Sequence, residues 1–122
     1  MEKLKLFDAE FKFMSIVWEH EPLSTRALVA LCQEHLGWKR TTTYTVLRKL
    51  SDRGILQNDA SIVSSLVKRA QVQKFESEKI IGKAFNGSLP RFIAAFLNDK
   101  TLSPTEAEEL KKLIDQHKEE KE

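Results

Sequence analysis

Apolar residues in the first part of the chain recur at three- and four-residue steps, the spacing that lines one side of a helix. Over residues 8–19 this pattern predicts a first helix. Its apolar positions are Phe11, Met14, Val17 and Trp18. Asp8 is expected to cap the helix N-terminus, and Pro22 disfavours helix at the residue before it.

A second helix is expected to begin at Ser24 and to end before Gly37, since glycine is common just past a last helical turn. One face of this helix carries its apolar residues, which are Ala27, Leu28, Leu31, Cys32 and Leu36. Cys32 on that face fits a small buried hydrophobe better than a redox switch.

A third helix is predicted from Thr41 to Arg53, and its two faces differ in character. The apolar side holds Thr43, Val46, Leu47 and Leu50. The opposite side holds Thr41, Tyr44, Thr45, Arg48 and Asp52, with Thr42 and Lys49 flanking it. Threonine is a mediocre helix former, so its repetition in the first turn indicates a functional surface. Tyr44 suits either a phosphate contact or a packing role.

After Gly54 the composition changes to β-branched and small polar residues, with a turn signal at 58–61. This predicts a short two-stranded hairpin. Three helices followed by a hairpin are the order of a winged helix-turn-helix, in which the third helix can enter the major groove of DNA. The expected fold class is therefore mainly α, with a winged-helix DNA-binding domain in residues 1–70. Trp18 and Trp38 are expected at the edge of its core.

From residue 71 the chain is expected to be helical again, with one segment over 75–86, one capped by Ser88 and one opening at Ser103. The apolar positions of the last two helices are Leu89, Phe92, Ile93, Phe96, Leu97, Leu110, Leu113 and Ile114. So much apolar surface on short helices favours residues 71–122 as a helical dimerisation domain. The alternative is that these helices pack back onto the N-terminal domain of the same chain.

The chain has 122 residues and a net charge of only +2, which by itself does not indicate a nucleic-acid binder. The charge is unevenly distributed, however. Residues 39–53 carry five lysines and arginines against one acid, Asp52, a local charge of +4. Local clustering outweighs the total because screening limits exposed charges to about 8–10 Å. A solvated helix face remains the alternative to a DNA-binding surface.

Several classes of protein are not expected. No apolar run approaches the roughly 20 residues that span a bilayer, and the N-terminus lacks a signal-peptide core, so a cytoplasmic location is expected. One cysteine and three separated histidines do not provide a metal site, and no cofactor is expected. No Ser–His–Asp order, phosphate-binding glycine loop or CxxC motif is present, so the chain is not expected to be an enzyme.

Three sequence patches, in order along the chain, resemble one known family. The first holds Asp8, Glu10, Phe11, Met14, Val17, Trp18 and Pro22-Leu23. The second holds Trp38, residues 41–50 and Arg53-Gly54-Ile55-Leu56. The third holds Phe85-Asn86-Gly87-Ser88, Leu102-Ser103-Pro104, Glu106, Glu109-Leu110 and Leu113-Ile114. Together they resemble the penicillinase-repressor (BlaI/MecI/CopY) family of bacterial transcriptional regulators over nearly the whole length.

The resemblance implies a homodimeric repressor that binds a palindromic DNA operator. The chemistry of the third helix agrees with it, because hydroxyl and cationic side chains can contact phosphates and base edges. The expected DNA-binding residues are Lys39, Arg40, Thr41, Thr42, Tyr44, Thr45, Arg48 and Lys49. A protein-interaction module of the same fold that never contacts DNA is the alternative. Asp52 and Asp59 favour that alternative weakly.

The chain departs from the family pattern in three places. Asp59 occupies the predicted wing, where it would repel a phosphate. The C-terminal cysteine cluster of the copper-responsive members is missing after Ile114. The Asn–Phe bond at which antibiotic-responsive members are cleaved corresponds to Ala95–Phe96. Inactivation there by a membrane sensor protease is therefore a hypothesis for this chain.

Overall fold

A computed structural model describes residues 4–119 of the chain. Six helices and three strands follow one another along it: α1 (Asp8–His20), β1 (Leu23–Ser24), α2 (Thr25–Leu36), α3 (Arg40–Asp52), β2 (Leu56–Asp59), β3 (Ile62–Ser65), α4 (Arg69–Ala84), α5 (Leu89–Leu97) and α6 (Pro104–Gln116). The expected fold class is confirmed: a winged helix-turn-helix followed by C-terminal helices. The chain forms two compact units, which divide within α4 between Ile80 and Ile81.

The N-terminal end of α1 differs from the prediction. Phe7, not Asp8, is the N-cap residue. The side chain of Glu10 bends back, and its Oε1 accepts a 2.9 Å hydrogen bond from the backbone N–H of Phe7. The most deeply buried side of α1 also differs from the predicted one. It holds Phe13, Met14, Ile16 and Val17, whereas Phe11 and Trp18 are only partly buried.

The second and third helices follow their sequence signals closely. The hydroxyl of Ser24 caps α2 by accepting from the N–H of Ala27 at 3.0 Å. Gly37 ends α2 in the left-handed conformation with φ of 69°, which glycine adopts without steric cost. The inner side of α3 faces the core, where its side chains Thr43, Leu47 and Leu50 are buried. Trp38, between the two helices, stacks on Phe13 with ring centroids 5.9 Å apart.

The predicted hairpin is present, but it belongs to a three-stranded antiparallel sheet with the order β1-β3-β2. The additional strand, β1, pairs Leu23 with Val63 and Ser24 with Ile62. At the tip of the hairpin Ala60 and Ser61 both have positive φ, as a tight two-residue turn requires. The Ser61 carbonyl accepts from the Thr25 N–H at 3.0 Å, which attaches the tip to the start of α2.

The core of the N-terminal unit lies where these helices meet the sheet. Its largest fully buried side chains include Phe13, Met14, Leu28, Leu50, Ile55 and Leu56. Helix α4 begins at Arg69, six residues before the start expected from the pattern. Its first turns pack with the N-terminal unit, since Val72 is fully buried in this core.

In the C-terminal unit, Ser88 and Ser103 cap α5 and α6 by accepting from the N–H groups of Arg91 and Glu106. None of the residues 81–119 is buried. Large apolar side chains are instead exposed, among them Phe96 at 56%, Leu113 at 51% and Ile114 at 64%. The unit therefore has an apolar surface but no closed core of its own.

Candidate nucleic-acid interface

The outer face of α3 gathers the side chains that the sequence suggested for DNA contact. Seven of the eight predicted residues are exposed, and Tyr44 is half-buried. All of them lie on α3 or directly before it. The buried Thr43, Leu47 and Leu50 hold the other side of the helix in the core. The core thus fixes which side of α3 faces outward.

The N-terminal end of α3 is a favourable place for an anion. Lys39 is the N-cap residue, and no side chain in the described part of the chain hydrogen-bonds to this end as Ser24 does at α2. Free N–H groups at a helix start attract phosphate, and the positive charges of Lys39 and Arg40 add to that attraction.

The middle of the α3 surface contains preorganised contacts. The guanidinium of Arg40 lies 5.5 Å from the ring centroid of Tyr44, within cation–π range. The hydroxyl of Thr45 donates a 2.9 Å hydrogen bond to the carbonyl oxygen of Thr41, so it remains available only as an acceptor. Arg48 is exposed and forms no hydrogen bond or ion pair within residues 4–119. A shallow depression of about 370 Å³ lies beside it, lined by Tyr44, Thr45, Arg48, Lys49 and Asp52.

Lys49 behaves differently from Arg48, its neighbour in the sequence. Its Nζ lies 3.2 Å from Oε2 of Glu10, whose side chain is only 6% exposed. Arg53 binds the same carboxylate, with Nη1 3.3 Å from Oε1. Burial raises the pKa of the Glu10 carboxyl, but the Phe7 N–H together with Lys49 and Arg53 brings the pKa below its ordinary value.

The ion pairs of Glu10 are not among the features predicted above from the sequence pattern. A signal was available, because Glu10 precedes Phe13, Met14 and Val17 by three, four and seven residues. It therefore occupies the buried side of α1, where an unpaired carboxylate would be costly. An acid at such a position indicates a cationic partner from another element.

The wing contributes polar and acidic side chains rather than cations. Asp59, Ala60, Ser61 and Ile62 are all exposed at its tip. With Asp59 there, an attractive phosphate contact by this tip is not favoured.

Metal or thiol chemistry has no support in residues 4–119. No group of three or more His, Cys, Asp or Glu side chains in this range is placed to hold a metal ion. Cys32 is fully buried, and this burial raises the pKa of its thiol, against the smaller opposite effect of the Thr43 hydroxyl. A protonated, inaccessible thiol is a packing group.

A second surface lies in the C-terminal unit, between α5 and α6. It is an apolar groove of about 390 Å³, and Glu106 and Glu109 are its acidic lining residues. Six of the eight predicted dimer-interface residues line it, namely Phe92, Ile93, Phe96, Leu97, Leu110 and Leu113. Leu89 and Ile114 are also exposed in this unit.

The three-helix core, the small wing and the outward, cationic third helix define a winged helix-turn-helix protein. Residues 6–116 match the model of the penicillinase repressor family. The chain belongs to this family, which places it among transcriptional repressors and not among enzymes.

Individual relatives are distant but match along nearly their whole length. The penicillinase repressor of Bacillus licheniformis is 24% identical over 123 residues, covering 97% of this chain and 96% of the relative. The methicillin resistance regulatory protein MecI of Staphylococcus aureus is 25% identical over 114 residues, covering 90% and 93%. MecI of Mammaliicoccus sciuri gives the same values. In the described residues, no helix has the length and apolarity needed to cross a membrane.

Proposed function

We propose that this chain is a homodimeric, sequence-specific DNA-binding repressor that docks α3 of each copy into the major groove of a palindromic operator. The observation that carries the proposal is the two-sided construction of α3. Its inner side is anchored in the core by Thr43, Leu47 and Leu50. Its outer side exposes cations and hydroxyls, the groups that contact phosphates and base edges.

The residues of the outer face would make different kinds of DNA contact, depending on their position along α3. Lys39 and Arg40, beside the free N–H groups of the helix start, suit phosphate contacts. Arg48 has the fork of donors that matches guanine O6 and N7, and no partner in residues 4–119 restrains it. The outer-face side chains between these two ends suit shorter-range contacts with DNA; they are Thr41, Thr42, Tyr44 and Thr45. Lys49 is left out of this set because Glu10 holds its ammonium.

Dimerisation through the C-terminal unit supplies the symmetry that a palindrome requires. The exposed Phe96, Leu113 and Ile114 are large apolar side chains, and surface of this kind commonly marks an interface between subunits. A second copy would cover it by a closed two-fold contact. Two recognition helices on one side of the duplex then read half-sites about 10 bp apart, or a multiple of that distance.

Selection from a pool of random duplexes, followed by titration of the selected duplex, tests the proposal. The selected sequence should contain an inverted repeat and should bind two chains per duplex. A scrambled duplex of the same length and composition is the control. Equal binding to the selected and scrambled duplexes would contradict sequence-specific repression. DNA-independent capture of a protein partner, with no binding to any duplex, would favour the protein-interaction module. The proposed cellular location is the cytoplasm.

Proteolytic inactivation at the Ala95–Phe96 bond is a further part of the proposal. Both residues are exposed and lie near the C-terminal end of α5, a helix of nine residues. Helices this short are only marginally stable alone, so local opening of α5 would present the bond to a protease. Incubation with a cognate membrane sensor protease should give fragments that end at Ala95 and begin at Phe96. A chain that stays intact throughout would contradict it.

A further inference from the structure

Glu10 connects the start of α1 to the end of α3. Its Oε1 accepts from the Phe7 N–H at 2.9 Å and from Arg53 Nη1 at 3.3 Å, while Oε2 lies 3.2 Å from Lys49 Nζ, an ion-pair distance. Arg53 extends the connection, because its Nη2 also donates to the backbone carbonyl of Lys5. The last turn of α3 and the residue that follows it are therefore fastened to a buried anion on a different helix.

The same contact determines where the positive charge of Lys49 lies. The Lys49 side chain is 56% exposed, yet its ammonium is within ion-pair distance of a carboxylate that is 6% exposed. The ring of Phe7 lies on the same side, with its centroid 5.9 Å from Lys49 Nζ. Arg48, one residue earlier, has no such partner within residues 4–119. Of these two adjacent cations on the proposed recognition helix, Lys49 is thus ion-paired and Arg48 is not.

We propose that Glu10 is a positioning residue for operator recognition: it fixes the C-terminal end of α3 and keeps Lys49 from contacting DNA phosphates. This inference rests on the proposed function, since it concerns how α3 reads DNA. A lysine that binds phosphate raises the affinity for every sequence equally, whereas a fixed helix improves only the correct fit. Glu10 therefore acts on the ratio between operator and non-specific affinity.

The variant Glu10→Gln separates these effects, because its amide oxygen can still accept from the Phe7 N–H while the negative charge is gone. The released Lys49 should add a phosphate contact in each subunit, which steepens the plot of log affinity against log salt by about 1.8 for the dimer. Looser placement of Arg48 should lower the ratio of operator to non-specific affinity at least about fivefold. In the double variant Glu10→Gln/Lys49→Ala the slope of log affinity against log salt should return to that of the parent. The ratio of operator to non-specific affinity should stay low.

The single variant Lys49→Ala tests the same idea with Glu10 in place. In the full-length protein this variant should leave the slope of log affinity against log salt unchanged, because the charge of Lys49 does not contact phosphate in the parent. A slope shallower by about 1.8 would place Lys49 on phosphates and overturn the inference. If Glu10→Gln does not fold, this measurement still tests whether Lys49 is kept from DNA phosphates.

Failure of this inference can be told from failure of the proposed function. If the parent chain shows no salt-dependent DNA binding, the proposed function fails and this inference fails with it. If the parent binds its operator and Glu10→Gln lowers operator and non-specific affinity by the same factor, only the positioning role is overturned. A merely structural role would give that second result, because it reduces the fraction of folded protein for both duplexes alike.

Discussion

The indole Nε1 of Trp18 donates a 2.9 Å hydrogen bond to the carbonyl oxygen of Val67, 49 residues further along the chain. Arg69 lies over the same indole, with its guanidinium carbon 5.4 Å from the ring centroid. Trp18 is on α1, Val67 lies between β3 and α4, and Arg69 is the first residue of α4. This contact connects the first helix to the segment that leaves the wing.

Trp18→Phe should lower the free energy of unfolding by about 1–3 kcal/mol, because it leaves the largely buried Val67 carbonyl without its donor. Urea unfolding at one fixed protein concentration measures the change. Trp38→Phe is the matched control. Phenylalanine there can keep the stacking on Phe13, and the indole N–H of Trp38 makes no hydrogen bond in the described residues. Equal losses in the two variants would show that ring size, not the hydrogen bond, matters.

Arg48→Ala should weaken operator binding by about 1–3 kcal/mol per half-site and relax the preference at one base pair. Fluorescence anisotropy with a set of duplexes, each changed at one position, measures both effects. Lys12→Ala removes an exposed cation from α1 and should change neither affinity nor preference. A loss that is the same on every duplex would reduce Arg48 to a phosphate contact.

Leu113→Asp should convert the dimer to a monomer, because it puts a charge into the apolar groove of the C-terminal unit. Lys112→Asp changes the neighbouring exposed position of the same helix and should leave the dimer intact. Sedimentation velocity distinguishes the two species. A Leu113→Asp protein that remains dimeric would move the interface away from the groove between α5 and α6.

The stability that Glu10 contributes should depend on pH. Its pKa in the folded chain lies below the ordinary value of 4.5 because the Phe7 N–H, Lys49 and Arg53 outweigh the effect of burial. A lowered carboxyl pKa stabilises the fold above the unfolded pKa, and this contribution is lost as pH falls through the folded pKa. The difference in unfolding free energy between the parent and Glu10→Gln should therefore be largest near neutrality and shrink below about pH 4.5.

Urea unfolding at a series of pH values measures this difference. Glu108→Gln serves as the control, because its ion pair with Lys111 is exposed at the surface and contributes little. A difference for Glu10→Gln that stays constant from pH 7 to pH 3 would show that the charge of Glu10 does not stabilise the fold.

The helices of the winged domain could be predicted because their signals are local. Ser24 and Gly37 bound α2, and the spacing of Thr43, Leu47 and Leu50 separates the two sides of α3. These patterns also placed seven of the eight expected contact residues on exposed positions. Most of the candidate site could therefore be predicted from local sequence patterns.

The features that sequence could not supply depend on contacts between distant segments. Strand β1 has two residues, too few for any alternation, and is defined by its pairing with β3. The ion pair of Lys49 is made with Glu10, 39 positions earlier, and no helical periodicity connects the two. The Phe7 cap, by contrast, is a local contact, because the Glu10 carboxylate that accepts the Phe7 N–H lies only three residues further along the chain.

The most direct test of DNA reading by paired α3 helices is a titration of the selected operator at several salt concentrations, with the scrambled duplex alongside. The logarithm of affinity should fall linearly with the logarithm of salt, with a slope for about 6–10 phosphates, while the operator remains bound more tightly than the scrambled duplex. Binding that is insensitive to salt, or equal for the two duplexes, would contradict the account.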